Sequence, residues 1–148
     1  MSNLRYLFTL ISLTFITAFA SAADSVVGDW KTIDDVTGKT KSIVRISKTD
    51  HGDYEGQVIE ILHSDRGPNP LCDDCPGELR GKPVKGLVIL WGLKDAKENN
   101  WKGGEIIDPK NGKIYKAKLH LREDGKLEVR GFIGISLLGR TQVWEPAG

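Results

Sequence analysis

Two cysteines three positions apart, Cys72 and Cys75, enclose Asp73 and Asp74 and form the pattern most capable of chemistry in this chain. Such a pair can close a disulfide, exchange electrons with another thiol, supply half of a metal site, or remain as free or intermolecular thiols. Closing so short a loop contributes at most about 2 kcal/mol by the chain-entropy estimate, so a disulfide here is expected to shape its own loop rather than hold the fold. Redox exchange needs a thiolate favoured by positive surroundings, and both intervening residues are acidic. A zinc site needs two further ligands, for which His63 and Asp65 are the nearest candidates. The loop-shaping disulfide is the leading expectation and the other readings stay open.

The remaining reactive side chains lack the company that catalysis requires. His51 falls in a turn signal and His120 on the wet face of a strand pattern, and Ser42, Ser47 and Ser136 lie in no nucleophile elbow. Asp34-Asp35, like Asp73-Asp74, sits in loop-like surroundings where neighbouring carboxylates point apart. Lys116, Lys118, His120 and Arg122 share one strand face, which could touch an anionic surface but reads as the solvent side of a sheet. No metal-binding helix motif or phosphate-cradling glycine loop occurs. The expectation is a non-catalytic protein with no metal and no cofactor.

The elements around these residues follow from composition and patterning. Arg5 precedes an apolar run over residues 7–20, and Ala20-Ser21-Ala22 offers alanine at both positions a signal peptidase reads. A cleavable export signal is expected, cut after Ala22 or alternatively after Ala20, giving a periplasmic or secreted protein without a membrane anchor. The signal holds one of the 21 basic residues and none of the 20 acidic ones, so the mature chain balances 20 against 20. That balance excludes the basic excess of a nucleic-acid binder. The 126 residues from position 23 to 148 suffice for one domain and one core.

Within residues 23–148 the turn signals Asn111-Gly112 and Asp124-Gly125 bracket strict alternation, with Tyr115, Ala117, Leu119 and Leu121 against Lys116, Lys118, His120 and Arg122. The next run repeats it with Leu127, Val129 and Ile133 on one side. Strands are predicted near 26–32, 42–48, 53–62, 86–92, 103–107, 113–121, 126–134 and 139–145. An all-β, antiparallel up-and-down barrel of about eight strands fits them, since closure removes exposed edges; a two-sheet sandwich is the alternative. Residues 63–85 break the rhythm with Pro68, Pro70, Pro76 and Pro83, four of the chain's six prolines, and form one long irregular loop containing both cysteines.

These motifs resemble a known family. Gly28-Asp29-Trp30, the Cys72/Cys75 pair, Trp101-Lys102-Gly103-Gly104, Asp108-Pro109, Gly112-Lys113-Ile114-Tyr115, Gly131-Phe132-Ile133-Gly134 and residues 138–144 are similar to the exported bacterial family termed domain of unknown function 2147. The likeness runs from about Val27 to Trp144 and supplies no reaction. A weaker resemblance is to lipocalin-like barrels, in which a Gly-X-Trp on the first strand packs against an arginine near the barrel's end. It implies that Arg140 stacks on Trp30 to close the barrel by a cation–π contact.

The functional expectation is therefore an envelope protein binding a small apolar or amphipathic ligand inside a lipocalin-like barrel, with Tyr54, Trp91, Trp101 and Tyr115 as candidate contacts. An interior packed by Trp91, Trp101, Tyr54 and the leucines would leave no room for it. The alternatives are a protein-interaction module in envelope maintenance or stress, presenting the loop or the face around Phe132, Leu137 and Leu138, and a thiol-disulfide protein using Cys72 and Cys75.

Overall fold

The computed structural model describes residues 25–148; the segment read as an export signal, with its cleavage sites, lies outside the described residues. Eight antiparallel strands follow one another: β1 (Gly28–Ile33), β2 (Thr40–Lys48), β3 (Tyr54–Ile61), β4 (Val88–Asp95), β5 (Asn100–Asp108), β6 (Lys113–Leu121), β7 (Leu127–Phe132) and β8 (Gly139–Pro146). Each pairs with its sequence neighbours, and β8 returns to β1 through Trp30↔Pro146 and Lys31↔Glu145, so the sheet is a closed barrel. The sandwich alternative is thereby excluded.

Alternation decides which residues fill the barrel. On β6 the inward Ala117 and Leu119 are both 1 % exposed, while the intervening Lys118 faces out. On β2 the inward Val44 and Ile46 are fully buried and Arg45 between them is exposed. Trp144, Leu127, Leu90 and Leu93 complete a close-packed centre. Burying one such side chain contributes roughly 1.5–3 kcal/mol, so this one cluster carries most of the favourable free energy of the fold. Crowding also fixes Gly104, where a Cβ would lie 2.5 Å from the Trp91 carbonyl oxygen and 2.6 Å from Leu93 Cγ.

An up-and-down barrel sorts its connections between two ends. The chain enters β1 and leaves β8 at one end, together with the β2–β3, β4–β5 and β6–β7 turns. The β1–β2, β5–β6 and β7–β8 turns and the long β3–β4 loop gather at the other. At the first end Val26 is fully buried and its carbonyl accepts a 2.8 Å hydrogen bond from Trp30 Nε1. Tyr54 and Trp101 meet edge to face there, centroids 6.1 Å apart, and both donate to the Asp95 carboxylate, at 3.0 and 2.9 Å. Satisfying the polar tips in this way lets both rings bury their apolar bodies. This end is closed.

The long loop is ordered as a strap rather than a lid. Cys72 N donates to the Lys82 carbonyl at 2.8 Å, Gly81 N to the Cys72 carbonyl at 3.0 Å and Val84 N to the Pro70 carbonyl at 2.9 Å, with a bridge between Leu71 and Pro83. Cys72 and Cys75 form a disulfide, Cα atoms 5.3 Å apart, and neither residue is exposed. The strap leans on the β5–β6 turn. Gly112, at φ +69°, passes so close that a Cβ there would lie 1.8 Å from the Asp74 carbonyl oxygen.

The β4–β5 hairpin is longer than its sequence suggests. Strands predicted to end at 92 and begin at 103 run to Asp95 and from Asn100. Glu98 and Asn99 make the reversal at φ 58° and 59°, and the Asn100 side-chain amide donates to the carbonyls of Lys97 and Glu98 at 2.9 and 2.8 Å. A turn without glycine that uses a positive-φ glutamate leaves little trace in composition.

Candidate functional site at the open end of the barrel

On β2, β5, β6 and β8 the burial of inward residues falls toward the end where the long loop emerges. On β8 the inward residues pass from Trp144, 1 % exposed, through half-buried Gln142 to exposed Arg140. On β6 they pass from Leu119 and Ala117 to half-buried Tyr115, and on β5 from Trp101 and Gly104 to half-buried Ile106. On β2 they pass from Ile46 and Val44 to half-buried Ser42. Inward side chains that water still reaches define a shallow cup, floored by buried Val44, Val58, Ala117 and Val129.

The cup has two kinds of wall. On one side Thr32 and Ser42 are cross-strand partners whose hydroxyls share a 2.8 Å hydrogen bond, and Ile61 stands next to Ser42 on β3. On the other, Ile106 and Tyr115 are paired across β5 and β6. They lean over Gly131, where a Cβ would lie 3.4 Å from Tyr115 Cβ and 3.5 Å from Ile106 Cγ2. Between them Gln142 accepts a 3.1 Å hydrogen bond from Trp144 Nε1, which leaves its amide group to face the cup. The cup therefore offers aliphatic and aromatic surface together with hydroxyl, phenol and amide groups, without a nucleophile beside a base.

At the lip, Arg140 donates two hydrogen bonds to the Asp35 carboxylate and ties the β1–β2 turn to the start of β8. The guanidinium holds the Asp35 carboxyl below the usual carboxylate range, and the carboxylate in turn raises Arg140 above its own. The register does not bring Arg140 to Trp30. Trp30 lies opposite Pro146, six residues beyond Arg140 on β8, so the two occupy opposite ends of the barrel and the expected closing stack is replaced by the Asp35 pair.

The four aromatic candidates are also separated. Tyr54 and Trp101 are 8 % and 4 % exposed and seal the closed end. Trp91 faces outward, its Nε1 donating to Glu105 at 3.0 Å, because Gly92 at φ +71° shifts the phase of β4. Tyr115 alone reaches the cup. The interior is thus filled largely as Trp101, Tyr54 and the leucines would fill it, with Trp91 outside. Two grooves bounded by described residues lie on the outside of the barrel. One, about 410 Å³, is bounded by Asp29, Ile43 and Arg45; the other, about 380 Å³, by Trp91, Glu105, Lys116 and Phe132.

The other reactive residues stay apart. His63 Nε2 lies 3.3 Å from Asp65 Oδ1, while the cysteine sulfurs are tied in the disulfide, and among the described residues no three His, Cys, Asp or Glu side chains converge on a metal-sized space. Burial of both cysteines removes the access that thiol exchange needs. His120 stands opposite Glu128, and the row of basic residues is the outer face of β6. Ser42 enters the cup, paired with Thr32 rather than with a base. Sequence reasoning missed Thr32, Gln142, Ile61 and Ile106; two polar residues at inward positions, Thr32 and Gln142, were the available signal.

This geometry, eight strands closed into an up-and-down barrel with one sealed end and one cup, defines the lipocalin-like class. A solved Helicobacter pylori structure, described as "Protein HP1028 from the human pathogen Helicobacter pylori belongs to the lipocalin family", superimposes with a TM-score of 0.72, is 22 % identical, and is matched over 84 % of each chain. At that identity the likeness is one of fold. The chain belongs to the family described as "Uncharacterized protein conserved in bacteria (DUF2147)", whose pattern matches residues 28–146. No curated protein matches the chain.

Proposed function

We propose that this is an exported, non-catalytic binding protein of the cell envelope, periplasmic or secreted, that takes one end of a small amphipathic ligand into the open end of its barrel. The observation that carries the reading is the burial gradient: inward positions are sealed at one end and half-exposed at the other, with apolar and hydrogen-bonding groups side by side. Ile61, Ile106 and the Tyr115 ring would receive an apolar segment, and Ser42, the Tyr115 hydroxyl and Gln142 its polar group. Because the centre is packed, the ligand sits in the mouth rather than deep within. Eight-stranded barrels accommodate both a filled interior and one small ligand.

Native mass spectrometry on protein recovered from its exported location, compared with the same sample denatured, tests this. Extra mass that leaves on denaturation supports the reading, and its value identifies the cargo. A bare polypeptide in repeated preparations favours the second reading, a contact surface for a protein in envelope maintenance or stress. That reading draws on the exposed apolar residues of the β7–β8 turn.

A further inference from the structure

The β7–β8 turn is unusual for a loop in water. Ile133, Ile135, Leu137 and Leu138 are 64 %, 59 %, 85 % and 68 % exposed, and no charged residue occurs from position 131 to 139. Single exposed apolar residues are ordinary, but four on one projecting tip are a contiguous patch. Val36, 81 % exposed, projects from the neighbouring β1–β2 turn, which the Asp35–Arg140 pair ties to the start of β8.

The carbonyls of this tip from Ile135 to Leu138 are already satisfied from below. Ile133 N donates to the Leu138 carbonyl at 3.1 Å and Leu138 N to the Ile135 carbonyl at 3.0 Å. Arg130 reaches up from β7, its Nε donating to the Ser136 carbonyl at 2.7 Å and its Nη2 to the Leu137 carbonyl at 3.4 Å, while Nη1 is anchored on Thr141 Oγ1 at 2.8 Å. Four consecutive carbonyls, from Ile135 to Leu138, therefore have donors without water. A loop bathed in solvent gains little from this, whereas a loop entering hydrocarbon must have its carbonyls satisfied, since each bare one costs several kcal/mol.

Charge around the tip points the same way. Lys39 on the β1–β2 turn, and Lys110 and Lys113 around the β5–β6 turn, are exposed at the same end of the barrel and form no ion pair among the described residues. Of the acids there, Asp35 is neutralised by Arg140, and Asp34 and Asp108 accept hydrogen bonds within their own turns. The exposed Asp73 and Asp74 of the strap lie beside the β5–β6 turn and offset part of the charge of Lys110 and Lys113, so Lys39, on the turn tied to β8, is the cation nearest in kind to a free one beside the tip. A convex apolar tip with carbonyls covered and lysines set back from it fits a planar surface with anionic headgroups over hydrocarbon.

We propose that the protein docks on an anionic lipid bilayer through the β7–β8 tip, Leu137 and Leu138 entering the headgroup boundary and Lys39, Lys110 and Lys113 meeting lipid phosphates. The cup then faces the membrane. Docking stands on the tip alone and does not require that the cup bind a ligand.

The test is co-sedimentation of the exported protein with vesicles of phosphatidylglycerol and phosphatidylethanolamine, against phosphatidylcholine alone. The expected result is binding to the anionic vesicles that Leu137→Asp lowers by about tenfold or more, the factor for losing one buried leucine side chain. The melting temperature of that variant is unchanged, because Leu137 touches little in the fold. A Leu137→Trp variant is expected to shift its emission to the blue on the same vesicles and to be quenched by brominated lipid. Absence of vesicle binding, binding indifferent to Leu137→Asp, or self-association abolished by Leu137→Asp without any vesicle binding would each overturn the proposal. The last would assign the tip to a protein contact.

Discussion

Asp35 and Arg140 join two turns at the lip of the cup, and their titration is the clearest pH signature at this site. Asp35 is held below its ordinary pKa in the folded chain, so its contribution is present above the unfolded carboxyl's titration and is lost as pH falls through the folded value. Acidification below about pH 4 is therefore expected to remove it. The guanidinium is more than half exposed, which limits the pair to at most about 1 kcal/mol after solvent screening. Urea titrations of wild type and Asp35→Asn are expected to differ by that amount at pH 7 and to converge as pH falls below the usual carboxylate range. A difference that persists in acid would mean that Asp35 acts through packing or turn geometry instead. Deeper in the barrel the magnitudes are larger. Trp144→Ala removes a side chain that is 1 % exposed and is expected to cost about 3–5 kcal/mol in the same measurement, and a loss near zero would contradict the packed floor.

The β3–β4 strap is the element whose role the cysteines define. Its disulfide spans a sequence separation of three, so Cys72→Ala with Cys75→Ala is expected to cost at most about 2 kcal/mol for the crosslink, with the barrel intact by circular dichroism and the strap cut faster by protease. Gly112→Ala is expected to give the same protease phenotype with the disulfide present. It forces a Cβ onto the Asp74 carbonyl at a positive φ and so pushes the strap off the β5–β6 turn. Unchanged cleavage in Gly112→Ala would show that the strap is held elsewhere. Elements with strict alternation were the legible ones. β6 lies where its eight alternating residues place it, and β7 follows from Leu127 and Val129, because one buried face leaves no other register open. The β4–β5 hairpin was not legible, since its turn rests on the Asn100 side chain. Nor was the outward aim of Trp91, which depends on a glycine at positive φ. The strap could be read as irregular from its prolines, while its attachment depends on a contact between Asp74 and Gly112, far apart in sequence.

At the scale of the molecule, closure of the sheet both hides the edges and divides the inward residues between a sealed end and a cup. The barrel could be inferred from eight strands and tight turns, whereas the cup could not, because alternation tells which residues face inward and not how far water follows them. That distance depends on which end the termini and the Tyr54–Trp101–Asp95 cluster close. It also explains why three of the four aromatic candidates lie outside the cup. Two are spent on sealing the barrel and one faces out.

The most direct measurement uses Gly131, which lies under Tyr115 and Ile106 and opposite Arg140 at the mouth. A Cβ there meets its neighbours at ordinary contact distances, so Gly131→Leu is expected to carry its side chain into the cup, with circular dichroism checking that the barrel stays folded. Native mass spectrometry of wild type and Gly131→Leu, both recovered from the cells that make them without denaturation, is expected to find a dissociable mass on the first and a bare, folded chain in the second. The same cargo retained by the plugged variant, or none on wild type, would contradict ligand binding at the mouth.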